Sequence, residues 1–106
     1  MNQFGLSNKT IESILGVLKK YPNIEKCVVY GSRAIGNFRN GSDIDLTLIG
    51  ENLTLTELLK IENELDDLLL PYKIDLSIFH QINHEGLIKH IKTNGQVFFE
   101  RKLKNT

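Results

Sequence analysis

Apolar positions along this chain switch between two periods, and each switch marks an element. In NKTIESILGVLKK, residues 8 to 20, Ile11, Ile14, Leu15 and Leu18 recur at i, i+3, i+4 and i+7, which predicts a helix with one apolar face. Ser7 or Asn8 would cap its start, Lys19 and Lys20 suit the negative end of the helix dipole, and Pro22 stops it. The run Cys27-Val28-Val29-Tyr30 is short, β-branched and halted by Gly31, the pattern of a buried central strand, though so short a run does not exclude a helix. Residues 31 to 42 are crowded with glycine, asparagine and serine and read as a loop with room for one helical turn. From Asp43 the period becomes two. Asp43, Asp45 and Thr47 alternate with Ile44, Leu46 and Leu48, which predicts a strand with one polar and one buried face.

A second helix is predicted over residues 55 to 70. Thr54 and Glu57 have capping-box spacing, Leu58, Ile61, Leu65 and Leu68 form its stripe, and Pro71 ends it. Residues 73 to 79 alternate again, Ile74, Leu76 and Ile78 against Asp75 and Ser77. A last helix is expected over 84 to 93, with Leu87, Ile88 and Ile91 inward and Asn94-Gly95 closing it, and Val97-Phe98-Phe99 as a terminal strand or packing tail. The order α-β-turn-β-α-β-α predicts an α/β (α+β) fold, a small mixed β-sheet with helices packed on one face.

Composition narrows the function. The 106 residues predict one domain, 1–106, and 41% hydrophobic with 25% charged residues is ordinary globular composition. Thirteen basic and thirteen acidic residues cancel, which argues against a protein that wraps nucleic acid. No apolar run approaches the ~20 residues of a membrane span, and MNQFGLSNKT lacks the plan of a signal peptide. Cys27 is the single cysteine, so neither an internal disulfide nor a cysteine-cluster metal site is available. A soluble, cytoplasmic protein is expected. It has no room for a separate substrate-binding domain, so an elaborate acceptor would need a partner or a second subunit.

The chemistry concentrates in two segments. Asp43 and Asp45 are two residues apart on one strand face, with Cα atoms ~6.5 Å apart and side chains parallel. Paired carboxylates of that kind hold divalent cations, and magnesium prefers such oxygen ligands together with substrate phosphates. Asp75 lies on the polar face of another strand, and if the two strands are neighbours the three carboxylates converge. Any one of these acids, taken alone, reads as the wet face of a sheet. Three together are poor strand chemistry unless something cationic binds. Gly31-Ser32 leaves the first strand as a turn where a phosphate can approach the backbone. By itself that pair is only a turn; the combination GS-x10-DxD, set in strand, turn and strand, is the strongest signal in the chain.

YGSRAIGNFRNGSDIDL resembles the signature of the DNA polymerase β-like nucleotidyltransferase superfamily, and the small size resembles its minimal branch, the MNT proteins of bacteria and archaea. The resemblance covers essentially the whole chain. It implies that Gly31 and Ser32 grip nucleotide phosphates and that Asp43 and Asp45 bind two Mg2+ ions. Asp75 would join the metal that activates the attacking hydroxyl. Arg33, Arg39 and Ser42 in the same loop are candidate nucleotide contacts, each arginine being equally readable as an ordinary surface residue. Many relatives carry a basic residue where this chain has Ile35. MNT proteins accompany HEPN-type helical-bundle toxins and adenylylate a tyrosine on them, which implies ATP as donor, an antitoxin role and a hetero-oligomer or homodimer.

Other functions compete with transfer of AMP. One is a non-catalytic nucleotide-binding module that regulates a helical-bundle partner by contact; another is transfer of the γ-phosphate, although the chain has no P-loop or kinase signature. The remaining polar residues carry blander readings. His80, His84 and His90 match no metal spacing and read as structural or exposed, Cys27 as a small buried hydrophobe, and the acidic helix at 55–70 as a solvated face.

Overall fold

The computed structural model describes residues 3–101; the expected domain 1–106 runs past both limits, and Met1, Asn2 and residues 102–106 lie outside the described residues. The elements run α1 (Asn8–Leu18), β1 (Lys26–Tyr30), α2 (Ser32–Ile35), β2 (Ile44–Ile49), α3 (Leu55–Asp66), β3 (Ile74–Ile78), a 3-10 turn (Phe79–Gln81), α4 (Glu85–Asn94) and β4 (Gln96–Glu100). The four strands form one mixed sheet in the order β3-β2-β1-β4. β1 pairs antiparallel with both β2 and β4, whereas β2 and β3 are parallel. The parallel pair requires a crossover, and α3 supplies it.

Alternation along the strands sorts side chains to two sides. Cys27, Val29, Ile44, Leu46, Leu48, Leu76 and Ile78 join the main core with Ile11, Ile14, Leu18, Ile61 and Leu65 of α1 and α3. Each fully buried Leu or Ile there contributes about 1.5–3 kcal/mol. The expected mixed sheet with helices over one face is thus present in α1 and α3. α4 adds a covering on the other face, where Val28, Tyr30 and Ile91 form a smaller cluster.

Local chemistry shifts several boundaries. α1 starts where expected, its Ser7 hydroxyl accepting from the Thr10 N–H, but ends at Leu18 with Lys19 as C-cap; Val17 is buried there, whereas Leu15 lies at the core margin. α3 is capped by Thr54, whose hydroxyl accepts from the Glu57 N–H, and ends at Asp66 rather than residue 70. Leu69 then adopts a left-handed φ of 54°, which a helix cannot continue through. Gly95 follows α4 without the left-handed turn expected of it. Its φ is −64°, and the reason for glycine is contact, since a Cβ would meet the Ile91 carbonyl oxygen at 2.4 Å. The 97–99 segment belongs to an edge strand, β4.

Candidate active site on the carboxylate face

The face opposite the main core carries Tyr30, Asp45 and Asp75 in a row. Tyr30 is the register partner of Asp45 across β1 and β2, and Asp45 is the partner of Asp75 across β2 and β3. Neighbouring strands are ~4.8 Å apart, so two acids from segments thirty residues apart become immediate neighbours. Asp43 precedes the first residue of β2 and is exposed, as is Asp75, whereas Asp45 is half-buried. Burial raises the Asp45 carboxyl above the ordinary carboxylate value, and the charges of Asp75 and Asp43 push it further; His90 and Arg33 oppose them. The Tyr30 hydroxyl is also raised, first by burial and then, against a hydrogen bond with Ser77, by Asp75 and Asp45.

The next residues along the same face are not wet, contrary to the expected polar surface. Thr47 is fully buried, and its hydroxyl accepts a 2.9 Å hydrogen bond from Ser77 across the parallel pair. This hydroxyl layer separates the acids from an apolar cavity of about 340 Å³ beyond it, bordered by Ile49, Phe79 and His80.

Gly31 closes the other side of the site. Its φ of 75° and ψ of −155° fall where only glycine is at ease, and a Cβ would sit 2.3 Å from Asp45 Oδ2. The carboxylate therefore packs directly on the turn. Gly31 O accepts from the Ala34 and Ile35 N–H groups, opening the single helical turn of α2, with Ser32 half-buried at its start.

The loop residues separate into different roles. The Ser42 hydroxyl accepts from the Arg39 N–H at 2.9 Å, and the Ser42 N–H donates back to the Arg39 carbonyl at 3.0 Å, so these two close a tight turn. Arg39 is exposed. Arg33 is not the surface residue its loop position suggested. It is 3% exposed, and its guanidinium donates to the carbonyls of Ser42 and Phe4.

His90 is structural, as expected, but the sequence did not show that it lies against the Gly31 turn. Its Nε2 accepts the Gly31 N–H at 3.0 Å, and its ring meets Tyr30 edge-on at 6.2 Å. The Asn94 side-chain amide nitrogen lies 3.2 Å from its Nδ1, on the same helix. Only its position beside Ile91 and three residues after Leu87, at the margin of a helix's buried face, hinted at this in the sequence. The other histidines are structural or exposed as expected: His84 caps α4 by accepting from the Leu87 N–H at 3.0 Å, and His80 is exposed. Cys27 is fully buried, and burial pushes its thiol well above the ordinary value.

Among the described residues, no three His, Cys, Asp or Glu side chains stand close enough together to hold a metal ion. The donor set nevertheless fits a hard cation: its donors are carboxylate oxygens, and Asp45 carries a cost of burial and like charge that a cation would relieve.

No curated protein matches the sequence at a significant level. A solved toxin–antitoxin structure with AMP-PNP superposes with a TM-score of 0.70 at 19% identity, covering 87% of this chain and 74% of that one. An MNT antitoxin in complex with tri-AMPylated Shewanella oneidensis HEPN toxin gives 0.67 at 16% identity, covering 91% and 74%. At such identities the likeness shows the fold. The family model described as polymerase beta, nucleotidyltransferase matches residues 12–104, spanning every strand and all three acids, and the chain belongs to that family.

Proposed function

We propose that this nucleotidyltransferase moves AMP from ATP onto a tyrosine hydroxyl of a HEPN-type helical-bundle toxin and so acts as its antitoxin. The observation that carries the reading is the alignment of Asp45 with Asp75 across the parallel pair, with Gly31 pressed against the Asp45 carboxylate. A fold neighbour from a toxin–antitoxin structure with AMP-PNP, and one in complex with a tri-AMPylated HEPN toxin, support the donor and the acceptor class.

In the transfer, the acceptor oxygen bonds to the α-phosphorus, the bond between α-phosphorus and the bridging oxygen breaks, and pyrophosphate leaves as the hydroxyl proton is lost. Two Mg2+ ions held by Asp43, Asp45 and Asp75 would supply hydroxyl activation and charge neutralisation of the triphosphate. Gly31 leaves the backbone beside Asp45 open to the phosphates, and Ser32 offers a hydroxyl at the start of α2. The exposed Arg39 would supply a cation for the outer phosphates, and Ser42 contributes by fixing the turn that carries it. Tyr30, raised above its ordinary value, stays a neutral hydroxyl beside the acids.

The test is intact-mass measurement of a HEPN-type protein from the same source, incubated with the chain, ATP and Mg2+. Whole AMP units should be added, and none with D43N/D45N. A second reading, regulation of a helical-bundle partner by contact alone, draws on Leu55, Leu59 and Leu69, which are 59%, 53% and 88% exposed. An unmodified but inhibited partner would favour it.

A further inference from the structure

Arg33 is buried, and among the described residues no carboxylate pairs with its guanidinium. Its Nε and Nη2 donate to Ser42 O at 3.1 and 2.8 Å, and its Nη1 donates to Phe4 O at 2.9 Å. The guanidinium also lies over two aromatic rings, 5.1 Å from Phe38 and 4.9 Å from Tyr72. Burying a charge costs several kcal/mol, and an apolar side chain would fill the space between two rings at lower cost. The fork geometry, which only arginine offers, is what the position uses.

The groups it joins are the approaches to the site. Arg33 itself follows Gly31-Ser32. Ser42 immediately precedes Asp43, and Asp43 lies before the β2 ladder begins at Ile44. Tyr72 comes three residues before Asp75, and the Lys73 carbonyl accepts the Ile44 N–H that starts the parallel pairing. One side chain thus bridges the glycine-serine turn, the segment delivering Asp43 and the segment delivering Asp75.

We propose that Arg33 is a positioning residue, a clamp that sets the spacing of Asp43 and Asp75 around Asp45 for metal binding and does not itself touch the nucleotide. This rests on the nucleotidyltransferase reading above. Its near-complete burial and its occupied fork leave it little surface for a phosphate. A cavity of about 210 Å³ does open beside it, rimmed by Arg39, Asn40 and Tyr72, so direct contact is the competing outcome of the test.

The experiment follows thermal stability of the chain while Mg2+ is titrated alone, and then while ATP is titrated at saturating Mg2+. Outer residues that orient metal ligands typically matter 10–100-fold in metal affinity. R33K should therefore raise the Mg2+ midpoint about 10–100-fold while shifting the ATP midpoint less than about threefold. Y72L, which keeps the cation but removes one face of the stack, should raise the Mg2+ midpoint in the same direction by a smaller factor; it keeps the test valid if R33K fails to fold. An ATP midpoint that moves with an unmoved Mg2+ midpoint would mean direct phosphate contact and overturn the clamp. Unmoved midpoints in a folded variant would reduce Arg33 to packing and overturn it too. If the wild-type chain responds to neither Mg2+ nor ATP, the nucleotidyltransferase reading itself fails, a result distinct from failure of the clamp alone.

Discussion

Replacing Gly31 by alanine tests whether the turn and the central acid are built as one unit. The backbone there, φ 75° and ψ −155°, is strained for any L side chain, at a cost of about 1–3 kcal/mol. The new Cβ would also stand 2.3 Å from Asp45 Oδ2, so the carboxylate must retreat by about 1 Å to reach ordinary contact. For a domain of this size each kcal/mol shifts Tm by about 4–8 °C, which gives a fall of about 4–24 °C. Displacing a reacting group by about 1 Å costs on the order of 10²-fold in rate. G36A provides the control. Gly36 is also left-handed, φ 88°, but a Cβ there meets nothing within 4 Å. It should lose about 1–2 kcal/mol of stability and keep its transfer rate within a few-fold. Calorimetry and transfer rates on the two variants check this. Equal loss of activity in both would refute the contact with Asp45 as the cause, and a fully active G31A would refute the packing altogether.

Further outcomes follow from the same geometry. Because burial, Asp75 and Asp43 raise the Asp45 carboxyl above its unfolded value, the folded state binds more protons there; the stability this group contributes is full at acid pH and lost as pH rises from the unfolded value through the raised one. D45N should accordingly raise Tm at neutral pH while abolishing transfer, and this gain should vanish below about pH 4, the ordinary carboxylate range. A thermal melt series across pH checks it, and equal Tm values at neutral pH would contradict it. H90F removes the acceptor of the Gly31 N–H and should cost about 1–3 kcal/mol, measured by urea unfolding; no loss would mean that water replaces the imidazole fully. Cys27, buried with its thiol pushed up, should resist thiol reagents until the protein unfolds, and rapid labelling of native protein would contradict its burial.

How far the sequence carried the fold depended on the range of the interactions. Helix starts were legible because capping is local: Ser7 and Thr54 each act on an N–H three residues away. The α3 end was less so, because Pro71 suggested a later stop than Leu69 imposes. Alternation marked β2 and β3, but nothing local stated that the two pair in parallel, the step that sets Asp75 beside Asp45. Strict alternation also implied a wet face, where Thr47 is fully buried by neighbours that periodicity does not reveal. Asp43 and Asp45 were legible as a spacing, GS-x10-DxD, and Asp75 as an acid on the polar face of another strand. His90 was not, because its contact with Gly31 spans 59 residues. Arg33 was visible as a charge in a loop, and only packing between Phe38 and Tyr72 distinguishes a buried clamp from a surface phosphate contact.

The most direct test of the account is label transfer from ATP with Mg2+ in a lysate of the source cell, in parallel reactions carrying the label on the α- or the γ-phosphate, with D43N/D45N as control. Asp45 aligned with Asp75, with Asp43 just ahead of β2, predicts α-label on a macromolecule that depends on this chain and is lost in the double variant, and no γ-label that depends on the chain. Label from the γ-phosphate alone would contradict nucleotidyl transfer, and α-label undiminished in the double variant would remove the chemistry from this face of the sheet.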